Sequence, residues 1–239
     1  MTDTSLKEAV TRKAMELGAG VVGFAPAGRW LGRDEAPEGS RPTDIWPEAR
    51  TVVTFGIPIS PAVLRTAPSI IYRETYNTAN RLLDEISLRL TGWLMAAGRP
   101  AMNLPCGGQL PPEQGRLRSL FSQVLAAQYA GIGRPGMTHT LVTRRWGPRV
   151  RFNSVLLADE LPPDAELTEE PCIGCKLCAK HCPVGAVTTV PGQTIGELNK
   201  ELCSAEQKRL ADNDCRPCGI CLKVCPVGDD IKMFQKISK

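Results

Sequence analysis

Apolar positions along the first 160 residues recur at two different periods, and the alternation of those periods predicts a layered α/β arrangement. Ser5-Leu6-Lys7-Glu8 has the serine and the glutamate of a capping box, and Leu6, Ala9, Val10 and Leu17 continue as one helical stripe that stops at Gly18. Val21-Val22-Gly23-Phe24 reads as a short buried strand, residues 29–47 as a Pro/Gly-punctuated loop, and the β-branched run at 51–55 as a second strand. Tyr72, Tyr76, Ala79, Leu83, Ile86, Leu90 and Leu94 follow at steps of three and four, which predicts a long helix over 70–97 closed by Gly98 and Pro100. Residues 103–115 read as loop and 117–130 as helix. Residues 138–143 and 149–157 read as two strands of a hairpin, turned by Arg144-Arg145-Trp146-Gly147-Pro148.

Leu161-Pro162-Pro163-Asp164 breaks this alternation. Beyond it cysteine density rises and Phe234 is the only aromatic residue, so a hydrophobic core cannot organise the segment and metal ligation must. The expected organisation is an α+β protein: an α/β domain over 1–163 and a small ferredoxin-like domain over 164–239.

Composition narrows the class without choosing a function. Hydrophobic residues make up 42% and charged residues 23% of 239, which excludes a disordered, collagenous or coiled-coil chain. No run approaches the roughly 18 apolar residues of a membrane helix. Met1-Thr2-Asp3-Thr4 opens neither a secretory signal nor a twin-arginine leader, so a cytoplasmic protein with no membrane contact is expected. The formal charge of +4 is too small to argue for nucleic acid. Two oxidised four-cysteine clusters, each adding about two negative charges, would cancel most of it.

Nine of the ten cysteines lie between Cys172 and Cys225. Cys172-Ile-Gly-Cys175-Lys-Leu-Cys178-Ala-Lys-His-Cys182-Pro183 has the spacing C-x2-C-x2-C-x3-C-P, and Cys215-Arg-Pro-Cys218-Gly-Ile-Cys221-Leu-Lys-Val-Cys225-Pro226 repeats it. Three thiolates two residues apart wrap three corners of a cubane, and the cysteine before proline is carried away to the other cluster. Cys172, Cys175, Cys178 and Cys225 are therefore expected on one [4Fe–4S] cluster, and Cys182, Cys218 and Cys221 on a second. Zinc also takes four cysteines, but its C-x2-4-C knuckles have no use for a third cysteine in register followed by Cys-Pro. For the last ligand the repeat spacing selects Cys215, while Cys203 lies just upstream in Asn199-Lys-Glu-Leu-Cys203.

Other signals are softer. Gly131-x-Gly133 follows a predicted helix rather than a strand, which favours a tight turn over a dinucleotide loop. Arg144, Arg145, Arg149 and Arg151 flank the predicted hairpin turn, as solvated strand ends or as a site for an anionic partner. Tyr72 and Tyr76 belong to an apolar stripe, although a phenol facing a cofactor could donate a proton. Cys106, in a Pro/Gly-rich loop, is a buried thiol or a catalytic one. His139 and His181 have no spacing partners and are not expected to be ligands.

The chain as a whole resembles the epoxyqueuosine reductase family and its larger relatives, the reductive dehalogenases. The resemblance is carried by the twin cysteine segment with Pro-Val-Gly-Ala at 183–186, and by Ala14-Met-Glu-Leu-Gly18, Val21-Val-Gly-Phe24 and Trp46-Pro-Glu-Ala-Arg50-Thr-Val-Val53. Ala130-Gly131-Ile-Gly133 and Gly147-Pro-Arg-Val-Arg-Phe152 extend it. It implies an α/β domain that holds cobalamin and receives electrons from a bis-cluster domain, with Gly131, Gly133 and Gly136 letting the corrin ring approach. It also implies that the cluster ligand outside the repeats stands in the place of Cys203, against the spacing argument for Cys215.

This chain departs from the family at several points. Gly131-Ile-Gly133-Arg-Pro-Gly136-Met137-Thr138 lacks the family's lysine and asparagine. The family's proton-donating Asp-Ser/Thr-Ala-Pro stretch falls near 117–120, where no carboxylate is present. The C-terminal extension that helps longer relatives grip tRNA has no counterpart before Lys239, so tRNA is not an expected partner.

The function expected is an iron–sulfur oxidoreductase. Its clusters take low-potential electrons, near about −400 mV, from a donor such as ferredoxin or flavodoxin and pass them to a cobalamin, or less favourably a flavin. That centre then reduces a small molecule or a modified base. Tyr72, Tyr76 and Cys106 are the candidate catalytic side chains. The alternative is an electron-transfer or reductive-activation protein with no substrate of its own, which docks a redox partner.

Overall fold

A computed structural model describes residues 3–107, 109–113 and 116–237. In chain order the elements are α1 (Asp3–Glu16), β1 (Val21–Pro26), α2 (Pro42–Ile45), β2 (Thr51–Pro58), α3 (Pro61–Arg65), α4 (Ile70–Ala96), β3 (Ala101–Asn103), β4 (Gln109–Glu113), β5 (Arg116–Ser119) and α5 (Gln123–Tyr129). They continue with β6 (Arg134–Pro135), β7 (Leu141–Val142), β8 (Val150–Leu157), α6 (Leu177–Lys180), β9 (Val187–Thr188), β10 (Glu197–Leu198), α7 (Lys200–Ala211), α8 (Ile220–Lys223) and α9 (Asp229–Ile237).

The chain divides into two compact units that are not continuous in sequence. The first gathers residues 1–57, 80–132 and 152–167, and the second gathers 58–79, 133–151 and 168–239. Two stretches that precede residue 163, 58–79 and 133–151, thus group with the cysteine-rich tail. The mixed composition of helices and small antiparallel sheets is α+β.

In the first unit a four-stranded sheet runs in the order β1-β2-β8-β3. β1 and β2 pair antiparallel from Val21↔Gly56 to Pro26↔Thr51, and β3 pairs with β8 from Ala101↔Leu157 to Asn103↔Val155. Alternate residues of the central strands serve opposite faces. Val53, Phe55, Val155 and Leu157 meet Leu6, Val10 and Ala14 of α1 and Leu83, Ile86, Leu90 and Leu94 of α4. Val52 and Leu156 meet Trp30, Phe121, Ala126 and Tyr129 on the other face. Each large side chain so buried contributes about 1.5–3 kcal/mol.

Three sequence expectations are corrected here. Ser5 does not cap α1, because the helix already includes Asp3, so the capping box is not formed. The predicted helix over 117–130 is shorter: residues 117–119 lie in β5, which pairs with β4 (Gln109↔Ser119), and α5 starts only after Ser122, whose Oγ accepts the Leu125 amide at 3.3 Å. Leu117, Leu120, Phe121 and Val124 stand at helical steps, but pairing with 109–113 takes the first of them into a strand, and Ser122 supplies an N-cap. The predicted hairpin is absent as well. β7 pairs with β6, β8 joins the four-stranded sheet, and a single bridge between Thr143 and Gly147 is what remains. Gly108 and Gly115 of the expected loop over 103–115, and the terminus at Lys239, lie outside the described residues, as do the side chains at 116–118.

The second unit draws its apolar interior from 58–79 and 133–151, where Leu64, Tyr72, Leu141 and Val142 are buried, and the cysteine-rich tail adds little to it. Between residues 164 and 239, Ala186, Val187 and Leu210 are the buried apolar side chains among the described residues. Its elements are short, with α3 packed on α8 and α9, α6 on α8, and β9 paired with β10. A tail of that composition depends on cross-links from bound metal.

Candidate iron–sulfur site

The two cysteine repeats fold alike. In each, the residue after the second cysteine takes the left-handed conformation (Lys176 at φ 61°, Gly219 at φ 70°) and starts a four-residue helix that carries the third cysteine, α6 with Cys178 and α8 with Cys221. In the first motif the reversal brings Cys172 and Cys178 to one cavity. Cys172, Cys175, Cys178 and the distant Cys225 line one cavity, walled by Val142, Pro148 and Val227, and Cys221 also borders it. Gly136 backs the cavity: a β-carbon there would stand 3.3 Å from Cys172 Sγ.

Electrostatics couples the thiols within and across the two motifs. Burial pushes the Cys178 thiol up, and its neighbours Cys172 and Cys175 add to the rise. Cys225 is pushed up to about 11 by burial, reinforced by Cys175 and Cys172 and opposed by the Val227 amide and Arg149. Cys221 reaches about 12, by burial first and then by Cys218, Cys203, Cys178 and Cys182. Cys218 is raised by burial and then by Glu206, Cys182 and Cys203. Crowded, partly buried thiols of this kind resist ionisation until a metal neutralises them, so the donor set fits a cationic cluster core. No three His, Cys, Asp or Glu side chains among the described residues are gathered to hold a single metal ion.

Cys203 rises from the first turn of α7, where Asn199 Oδ1 accepts the Leu202 amide at 3.0 Å. The same helix presents Gln207, whose Oε1 accepts the Cys218 amide at 3.1 Å. Cys215 sits after α7, its own amide donating to the Leu210 carbonyl at 2.9 Å.

The other candidates are dispersed. Tyr72 is buried against Gly219 of the second motif and Tyr76 packs edge-on to it at 6.2 Å, with the Arg151 guanidinium 4.5 Å from the Tyr76 ring centre. Burial holds the Tyr72 hydroxyl far above its ordinary pKa, so it is a neutral phenol, and Arg151 only partly offsets this. Cys106 lies in the first unit, its Sγ 3.4 Å from both Asn80 Oδ1 and the Phe152 carbonyl. His139 Nε2 and His181 Nδ1 each face a backbone carbonyl, of Gly196 and Leu177 respectively.

The three glycines expected at a corrin ring face the protein itself. A β-carbon at Gly131 would meet the Ala165 carbonyl, at Gly133 the Val142 carbonyl, and at Gly136 Val142 and Cys172. Close packing within the chain accounts for the three glycines, and Gly136 borders the cysteine cavity.

Sequence reasoning missed two residues. Arg149, grouped with solvated strand ends, is buried; Gln207 was not singled out.

The fold and the thiol grouping define a bis-cluster iron–sulfur protein: residues 171–228 match the family 4Fe-4S dicluster domain, and the chain carries two [4Fe–4S] clusters there. Over a longer span it is 29% identical across 161 residues to tetrachloroethene reductive dehalogenase of Desulfitobacterium hafniense, covering 66% of this chain and 27% of that protein. The corresponding enzyme of Dehalobacter restrictus is 30% identical over 142 residues, 58% of this chain and 24% of that one. The chain thus spans about a quarter of the length of these curated relatives.

Among solved structures, a catabolic reductive dehalogenase in complex with 3-bromo-4-hydroxybenzoic acid superposes with a TM-score of 0.72 at 18% identity, over 99% of this chain and 34% of the other. Epoxyqueuosine reductase from Bacillus subtilis gives 0.63 at 18% identity, over 94% and 66%. The fold is the one these reductases share. No helix among the described residues is long and apolar enough to cross a membrane.

Proposed function

We propose that this protein is a reductase in which two [4Fe–4S] clusters deliver single electrons to an acceptor centre held by the first unit. The observation that carries the reading is the cavity that brings Cys225 of the second motif to Cys172, Cys175 and Cys178 of the first. Crossed ligation ties two cubanes into one low-potential relay. Within it we assign Cys203, not Cys215, as the fourth ligand of the second cluster.

The acceptor we infer is a corrinoid. Support comes from likeness of fold to a reductive dehalogenase whose structure is described as suggesting a mechanism for B12-dependent dehalogenation, and not from Gly131, Gly133 and Gly136. Such a cofactor, when bound, supplies the low-potential chemistry that breaks a bond in the substrate. The chain's own residues have the simpler tasks of holding the clusters, excluding water from them and presenting them to a ferredoxin- or flavodoxin-like donor. The substrate class is a small organic molecule or a modified base.

A second reading, an electron carrier that docks a larger redox partner, is favoured by the lack of any carboxylate at 117–120. Anaerobic reconstitution with iron, sulfide and cobalamin followed by gel filtration decides between them. Corrinoid absorbance co-eluting in stoichiometric amount with the protein supports the reductase. Cluster absorbance eluting alone supports the carrier.

A further inference from the structure

We propose that Arg149 is a positioning residue for the first cluster, clamping the chain at Cys225 and placing a buried positive charge behind that ligand so that the cluster is easier to reduce. The Arg149 side chain is 1% exposed. Its Nε donates to Asp230 Oδ2 at 2.9 Å and its Nη2 to Asp230 Oδ1 at 2.5 Å. Nη1 donates to the Cys225 carbonyl at 3.3 Å, and Nη2 also donates to the Val227 carbonyl at 2.6 Å. A bidentate carboxylate with two further carbonyls satisfies the planar fork, which is what makes burial of a guanidinium tolerable.

The surroundings are built to admit it. Gly147 (φ 54°) and Gly228 (φ 123°) lie against the guanidinium: a β-carbon at Gly228 would overlap Nη2, and one at Gly147 would stand 3.0 Å from it. The segments on either side are joined by the Asp230 amide donating to the Arg145 carbonyl at 3.0 Å and the Asp229 amide to the Arg144 carbonyl at 3.3 Å. The Arg149 carbonyl accepts the Ile59 amide at 2.7 Å. Cys225 reaches a cluster whose other three ligands lie more than 45 residues upstream, so its position depends on what holds the 225–230 turn.

Reduction adds an electron to the cluster. A fixed cation beside one ligand stabilises the reduced form, and the Asp230 carboxylate paired with it partly cancels that effect. The two charges therefore act on the potential with opposite signs, which no purely structural role predicts.

The test is a redox titration of the anaerobic two-cluster holoprotein followed by electron paramagnetic resonance, with iron counted for each variant. Arg149→Gln should lower one of the two midpoint potentials and leave the other nearly unmoved. Asp230→Asn should raise the same one, and Arg149→Lys should restore most of the wild-type value. Equal potentials in all variants, or shifts of the same sign in Arg149→Gln and Asp230→Asn, overturn the proposal. Should Arg149→Gln lose half of its roughly eight irons, Asp230→Asn decides, because it keeps the guanidinium and its carbonyl contacts: an unchanged or lowered midpoint then overturns it. The proposal depends on the clusters alone, so its failure is distinct from failure to bind a corrinoid.

Discussion

Gly219 lies face to face with the ring of Tyr72: a β-carbon at Gly219 would overlap Cε1 of the tyrosine and stand 3.0 Å from Cζ. Gly219 separates Cys218 from Ile220 and Cys221 in the second cysteine motif, so the buried phenol closes over the backbone that carries two cluster ligands. Tyr76 packs edge-on to that ring, and the Arg151 guanidinium lies over Tyr76. An aromatic shield of this kind keeps water from a cluster, one of the levers by which a protein holds its potential low.

Gly219→Ala should therefore fail twice. Its φ of 70° costs a residue with a β-carbon about 1–2 kcal/mol, and the added methyl displaces the Tyr72 ring. Anaerobic denaturant unfolding should show the loss, and iron analysis should show the second cluster becoming labile. In Gly219→Ala/Tyr72→Leu the overlap is relieved, so the pair should be less destabilised than the sum of the single variants. Strict additivity would mean that the ring is not what the glycine accommodates.

The choice between Cys203 and Cys215 is open to a direct count. Cys203→Ser should fall from roughly eight irons per chain towards four, and Cys215→Ser should keep the full complement. The reverse result would return the assignment to the repeat spacing. Equal losses would mean that both positions matter, one as a ligand and the other in folding of the motif.

What the sequence made legible was whatever depends on short-range order. Helix 70–97 was read from its stripe and is α4, the β-branched run at 51–55 lies in β2, and the cysteine spacings give the motifs their handed turns. Long-range choices were not legible. Residues 116–119 carry no helix-breaking glycine or proline, so only pairing with 109–113 makes them a strand. Residues 141–142 and 150–157 look like partners because they are neighbours in sequence, yet each finds its partner elsewhere. Arg149 reads as a surface charge until Asp230, 81 positions away, supplies its carboxylate. Tyr72 likewise reads as core until the second motif is laid against it. Burial of a single polar residue is decided by a partner that periodicity cannot see.

A buried polar network in the first unit gives a prediction independent of iron. Asn153, wholly buried, donates from Nδ2 to the Leu104 carbonyl at 3.0 Å and to Asp84 Oδ1 at 3.2 Å. Its Oδ1 accepts the Gln123 side-chain amide at 3.0 Å and the Ser154 amide at 2.8 Å. Asn153→Ala strands several of these groups without water. Each costs about 1–3 kcal/mol when unsatisfied, so the variant should lose about 3 kcal/mol or more in denaturant unfolding. Ser87→Ala, which removes only long contacts of 3.3 and 3.4 Å, should lose far less. Equal losses would show that cavity size rather than hydrogen bonding governs this interior.

Removal of iron should separate the two units in stability. The first unit keeps its apolar layers without metal, with Val53, Phe55, Val155 and Leu157 packed on α1 and α4. The tail has Ala186, Val187 and Leu210 as its buried apolar side chains among the described residues, so its order comes from the clusters. Hydrogen exchange before and after anaerobic chelation is the measurement. Amides in 172–225 should lose protection, and 58–79 and 133–151, which group with the tail, should follow. Strands β2 and β8 should stay protected between residues 52 and 56 and between 153 and 157. Collapse of protection in those strands at the same iron loss would mean that the clusters hold the whole chain, and that the apolar layers are too weak to persist alone.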